Sequence, residues 1–272
     1  MLNNPNIKNI LAVASGKGGV GKSTTAVNLA LALANRGARV GILDADIYGP
    51  SIPLMLGVHS RPQVTEQKKI QPLIAHGIQS MSIGYLVDEK TPMVWRGPMV
   101  SGALQQLLND TLWDNLDYLI IDLPPGTGDI QLTLAQKIPV TAALIVTTPQ
   151  DLALLDARRA YEMFNKVHVP VLGVIENMSI HICSQCGHAE PIFGEGGGKH
   201  IAEQYGIPLL GSLPLDLKIR QQTDSGKPTM VAEPESTNAK LYSEIAQQIV
   251  TALSSREKAN TGQFPRIVIQ ND

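Results

Sequence analysis

The segment Gly16-Lys17-Gly18-Gly19-Val20-Gly21-Lys22-Ser23 constrains this chain more than any other stretch. It fits the pattern G-x-x-x-x-G-K-[ST]. It lies between an apolar run, "NILAVAS" (9–15), and a helix-like run, "GKSTTAVNLALALANRG" (21–37). A strand feeding a glycine loop that opens a helix is the setting in which this pattern cradles phosphate. Glycines let backbone N–H groups converge on phosphate oxygens, and the helix N-terminus adds about half a positive charge beneath them. On that chemistry Lys22 neutralises the β- and γ-phosphates of ATP, and the Ser23 hydroxyl is a Mg²⁺ ligand. Gly16, Gly18, Gly19, Val20, Gly21 and Thr24 complete the expected nucleotide-binding set. The plain alternative is a tight strand–helix turn with no ligand.

The rest of the chain repeats the strand-then-helix alternation. Apolar runs at 38–46, 117–126, 141–149, 169–179 and 208–215 read as strands, with helical patterns at 130–138 and 151–167. Fully apolar strands separated by helices imply a mostly parallel sheet covered on both faces. The expected fold class is therefore α/β, doubly wound, a P-loop NTPase. Residues 1–254 read as a single domain with a C-x-x-C insertion near 180–198, and 255–272 as a C-terminal tail. Residues 58–93 offer one or two further short strands. With 43% hydrophobic and 17% charged residues, the 272-residue chain has the composition of an ordinary soluble globular protein. A net charge of −2 and 4% aromatics favour neither a nucleic-acid surface nor base-stacking platforms. No apolar run nears the ~20 residues of a bilayer span. The expectation is a cytoplasmic protein with neither a nucleic-acid nor a membrane partner.

Carboxylates stand where an open α/β sheet binds ligands, at the C-terminal ends of strands. "LDADIYGPS" places Asp44 and Asp46 there, although either could instead cap the segment that follows. Asp122 ends the apolar run of "LIIDLPPGTGD", as a Walker B aspartate does, and would hold Mg²⁺ through water. The loop "PPGTGD" (124–129) follows it as a segment able to sense the γ-phosphate.

The only two cysteines, Cys183 and Cys186, form C-x-x-C in "HICSQCGH". A redox pair would open a helix, whereas this segment reads as a turn. A closed zinc site or an iron–sulfur cluster wants four ligands, and one chain supplies two thiolates. His181 and His188 could complete a zinc site within the chain. Two copies of the chain about a two-fold axis would instead supply four thiolates to a shared 4Fe–4S cluster.

The extra lysine in K-G-G-x-G-K-S resembles the deviant Walker A signature of the ATPases that include partition proteins, division-site selectors and the nitrogenase iron protein. That resemblance implies a homodimer in which Lys17 reaches the phosphates held by the partner subunit. It also places Asp46 at the attacking water, Asp44 beside Mg²⁺, and the Asn177 amide of "IENMS" at adenine. With "VWRGPM" (94–99), "TTPQD" (147–151), "CSQCGH" and "PIFGEGGG" (191–198) added, the chain resembles the Mrp/ApbC-type iron–sulfur cluster carriers from about residue 8 to 250. This implies a slow ATPase with Lys17, Lys22 and Asp46 catalytic, a 4Fe–4S cluster on Cys183 and Cys186, and apoprotein recipients. The rivals are a ParA-like spatial organiser and a zinc-stabilised nucleotide-binding scaffold. A membrane-binding organiser would end in a basic amphipathic helix, whereas 238–258 is amphipathic but mixed in charge.

Overall fold

The structure, a computed structural model, describes residues 5–87 and 97–261, without the side chains at 97, 98, 129 and 257–261. Arg96 and most of the expected tail lie outside the described residues. The chain runs β1 (Ile7–Ala14), α1 (Lys22–Asn35), β2 (Val40–Asp44), α2 (Ile52–Leu56), β3 (Leu73–Ala75), β4 (Ile78–Ser82), α3 (Gly97–Asp110), β5 (Leu116–Asp122), α4 (Asp129–Lys137) and β6 (Ala142–Thr147). It continues α5 (Asp151–Lys166), β7 (Val171–Glu176), β8 (His181–Ile182), β9 (Ala189–Glu190), α6 (Gly197–Tyr205), β10 (Leu209–Ser212), α7 (Leu217–Asp224), α8 (Thr229–Ala232) and α9 (Thr237–Thr261).

Eight strands form one sheet in the order β10-β7-β6-β1-β5-β2-β4-β3. All neighbours pair in parallel except β3, which lies antiparallel on β4 at the edge. The expected mostly parallel, doubly wound sheet is thus present. Its strands are apolar because both faces are covered. On β1, Leu11 and Val13 enter the core shared with α1 and α9, while Ile10, Ala12 and Ala14 enter the core shared with α3 and α4. From β1 the chain crosses first to β2 on one side and later to β6 on the other. The crevice at this reversal, outside the C-terminal ends of β1, β5 and β6, is where such sheets bind ligands.

The apolar runs overshoot the strands at their C-terminal ends. β5 stops at Asp122 because Pro124 and Pro125 have no N–H to continue a ladder. β7 stops at Glu176, two residues before Met178 turns into the left-handed region at φ 56°. Residues 58–87 hold both short strands, β3 and β4, joined by a tight turn with His76 and Gly77 at φ 48° and 83°.

The boundary drawn at residue 254 falls inside a helix. α9 runs without a break to Thr261. Ala239, Tyr242, Ile245, Ala246, Ile249 and Leu253 recur at helical spacing, are at most 5% exposed, and pack in the core that includes α1. The apolar face of this amphipathic helix is therefore covered by protein and is not offered to a bilayer. No helix among the described residues is long and apolar enough to cross a membrane.

Candidate nucleotide site and thiol hairpin

The loop between β1 and α1 bounds a cleft of about 280 Å³ whose lining includes Lys17, Gly19, Lys22, Ser23, Thr24 and Asp46. Gly19 and Gly21 hold φ near +80°, a conformation costly for any residue with a Cβ. At Gly21 a Cβ would also fall on the Asn177 amide. Val20 buries its side chain, so its contribution to a ligand is through the backbone. A larger cleft of about 610 Å³ lies between α5 and α6. It is lined by a mixture of acidic, basic and apolar side chains and contains none of the phosphate-loop residues, so the smaller cleft is the candidate site.

Lys22 and Asp122 form a buried ion pair across the cleft floor, Nζ to Oδ1 at 2.5 Å, with side chains 6% and 0% exposed. Lys22 Nζ also donates to Ser23 Oγ at 3.2 Å. Burial pushes the Asp122 carboxyl above the usual range, and the Lys22 charge works against that rise. Asp122 Oδ2 is buried with no hydrogen-bond partner. An orphaned buried carboxylate oxygen near a serine hydroxyl fits a hydrated Mg²⁺. Lys17 lines the cleft and forms no ion pair with any described residue.

The two carboxylates at and just after the end of β2 separate in role. Asp46 lines the cleft and accepts a 3.3 Å hydrogen bond from Gly49 N–H. Asp44 does not line it. Its buried carboxylate accepts from the N–H groups of Asp46 (3.1 Å), Ser51 (3.0 Å) and Ile52 (3.1 Å) and from Ser82 Oγ (3.0 Å). Asp44 thereby ties the loop carrying Asp46 to the start of α2 and to β4. Its carboxylate is thus engaged by four protein donors away from the cleft lining. Burial first, and the Asp122 charge second, push its pKa up to about 7 despite the four donors.

The loop after β5 is pinned by Gly126 N–H donating to Ser15 O at 2.9 Å, and by Gln131 Nε2 donating to Pro125 O at 2.5 Å. Asn177 does not extend into open space. Its Nδ2 donates to Val20 O at 2.9 Å, which clamps the back of the phosphate loop.

Cys183 and Cys186 are free thiols on a small hairpin of β8 and β9. The turn is closed by Cys183 N–H to His188 O and by Gly187 N–H to Cys183 O. Backbone N–H groups of Gln185 and Cys186 point at the Cys183 sulfur and hold its thiol below the ordinary range. That favours the thiolate, the form that binds metal. His181 Nδ1 is hydrogen-bonded to Leu215 O at 3.1 Å. Among the described residues, no three His, Cys, Asp or Glu side chains gather as metal ligands.

The family model described as ParA, NUBPL iron-transfer P-loop NTPase, matches residues 6–250. The chain belongs to this family of iron-transfer P-loop NTPases. Its relatives include an iron–sulfur cluster carrier protein of Pseudomonas fragi, 66% identical over 89% of this chain and 85% of the relative. Another is the iron–sulfur cluster transfer protein NUBPL of Mus musculus, 49% identical over 92% of this chain and 79% of the relative. A solved nucleotide-binding protein of Archaeoglobus fulgidus in complex with ADP is 37% identical. It matches 88% of this chain and 93% of its own with a TM-score of 0.76. The cell-division ATPase MinD of Pyrococcus furiosus is 25% identical over 90% of this chain and 99% of its own, with a TM-score of 0.67. The resemblance read from "SGKGGVGKS" and "CSQCGH" is to this same family.

Three residues escaped sequence reasoning. Ser82 and Gln131 act only through the folded contacts just described; Ser82 has no motif beside it, and Gln131 falls two residues past "PPGTGD". Glu176 sits beside Asn177 in "IENMS", and its carboxylate accepts from Gly198 N–H at 2.5 Å. Nothing in the sequence separates it from an ordinary strand-end residue.

Proposed function

We propose that this chain binds and slowly hydrolyses ATP and carries a 4Fe–4S cluster, bridged across a homodimer, to apoproteins. The observation that carries the reading is the thiol hairpin. It presents two accessible sulfurs, one of them biased toward thiolate, which is half of a four-ligand set. A second copy supplies the other half.

Phosphate binding draws Lys22 away from Asp122 and onto the β- and γ-phosphates, while the loop N–H groups hold the remaining oxygens. Ser23 and, through water, Asp122 would hold Mg²⁺, which supplies positive charge against the phosphates. Asp46 positions the attacking water. Lys17 faces the neighbour's nucleotide and stabilises charge developing on the transferred phosphoryl group. Hydrolysis then relaxes the dimer and alters how exposed the cluster is. The chain from β1 through α9 acts as one domain in this scheme, and the protein works in the cytoplasm.

The test is anaerobic reconstitution followed by iron and sulfide counts per dimer. The expected count is one four-iron cluster per two chains. Cys183→Ala abolishes cluster uptake and leaves ATP binding intact. A protein that takes up zinc but no iron and sulfide would be the scaffold instead.

A further inference from the structure

The hairpin that bears the thiols is rooted on the nucleotide site of its own chain. Its entry is Asn177, at most 8% exposed, whose side-chain amide holds Val20 O of the phosphate loop and whose backbone N–H holds Thr147 O at 2.7 Å. Its exit is Gly198 at the start of α6, held by the Glu176 carboxylate. A Cβ on Gly198 would lie 2.8 Å from Glu176 Cβ, so this foot is closed tightly on its neighbour.

Between Asn177 and Cys183 the chain is fastened at Ser179, Ile180 and His181. Ser179 donates through N–H and Oγ to Leu213 O, at 2.9 and 3.0 Å. Ile180 O accepts from Leu215 N–H at 2.8 Å. His181 Nδ1 bonds Leu215 O, and because a carbonyl only accepts, that nitrogen carries the proton. Only Met178, in the left-handed region, departs from easy backbone geometry. The connection from phosphate loop to sulfur is thus six residues long, with hydrogen bonds along its length and no detour through a second subunit.

We infer that Asn177 and His181 are positioning residues that couple the phosphate loop to the thiol hairpin within a single chain. Phosphates that order Val20 and Gly21 also fix the carbonyl that Asn177 grips. Asn177 passes this constraint to the strand-like segment 178–181, and His181 delivers it two residues from Cys183. Coupling of this kind requires the nucleotide to favour one arrangement of the loop over another, and the Asn177–Val20 bond is the contact that distinguishes them. This deepens the carrier reading and rests on it for its biological purpose, but its test needs no cluster.

The experiment follows maleimide alkylation of Cys183 and Cys186 in the metal-free, full-length protein, without nucleotide and with saturating Mg-ADP or a non-hydrolysable Mg-ATP analogue. Site-resolved mass spectrometry gives the rates. The readout is the ratio of rates with and without nucleotide, which a general loosening of the hairpin leaves unchanged. The wild-type ratio is expected to differ from one by about fivefold or more, the low end of ordinary allosteric coupling. His181→Ala brings it to one while still binding nucleotide, and Asn177→Ala brings it to one at nucleotide concentrations raised to saturate that variant. His181 is partly exposed and does not line the phosphate-loop cleft, so it serves if Asn177→Ala fails to fold. A wild-type ratio of one, or an unchanged ratio in His181→Ala, overturns the inference. Failure to assemble a cluster would sink the carrier reading and leave these ratios standing.

Discussion

Lys22→Met is the perturbation whose size the structure determines most closely. The substitution keeps most of the side-chain bulk and deletes the charge that faces Asp122 at 2.5 Å in a buried pair. Asp122 then has two courses. It can remain ionised and unpaired, at about 3–5 kcal/mol for one broken buried ion pair. Or it can take a proton, which at pH 7 costs a carboxylate of ordinary pKa about 4 kcal/mol. Near neutrality the two are similar, so the expected loss of stability is about 4 kcal/mol at pH 7. The proton route costs ~1.4 kcal/mol less for each unit the pH falls, so the loss shrinks to about 3 kcal/mol at pH 6. The sign follows from linkage. Removing Lys22 raises the folded-state pKa of Asp122 further, and stability tied to a raised pKa is present at low pH and lost as pH rises. The double variant Lys22→Met/Asp122→Asn removes the stranded charge and recovers most of the loss. Urea unfolding followed by far-UV circular dichroism, at pH 6, 7 and 8 without nucleotide, measures all three proteins. A loss below about 1 kcal/mol at pH 8, or no recovery in the double variant, would refute the premise that this pair is buried and mutually compensated. A corollary bears on activity assays, since a lysine variant that fails to hydrolyse ATP must first be shown to be folded.

Asp44 gives a second pH signature. Its pKa of about 7 in the fold, against about 3.9 unfolded, contributes up to about 4 kcal/mol of stability below pH 4, lost as pH rises through 7. Asp44→Asn should flatten the fall in urea midpoint between pH 5 and 8, and parallel profiles for the two proteins would contradict this. Ile249→Ala, in the covered face of α9 at 0% exposure, should cost about 2–5 kcal/mol and shift the unfolding midpoint without changing nucleotide preference. A variant within experimental error of the parent would mean that the α9–α1 interface is looser than the packing indicates.

The parts of the site that were legible in the sequence are those whose chemistry resides in adjacent residues. Gly16 to Ser23 needs its glycines, lysine and serine in a fixed order on one turn, so the order is visible. Cys183 and Cys186 are legible for the same reason. Asp122 could be found because an apolar strand ends on it. The sheet was legible because strands buried on both faces are apolar throughout. Contacts that join distant segments left no mark. Asp44 and Asp46 are two residues apart in one acidic motif, and only the fold shows one buried under Ser51, Ile52 and Ser82 while the other lines the cleft. The same holds for Asn177, whose grip on Val20 spans the chain. The continuation of α9 past residue 254 was not read because these turns are polar and carry no apolar stripe.

The packing of α9 against α1 also fixes an order of events during synthesis. The helix that begins at Lys22 emerges long before the surface that covers its back, from Ala239 to Leu253. At about 5–20 residues per second, that gap amounts to tens of seconds in which the apolar flank of α1 lies bare. The cysteine hairpin is complete before that flank is covered. The newborn chain therefore has its sulfurs in place before its phosphate loop is backed by a finished core, and nucleotide affinity should mature only after α9 docks.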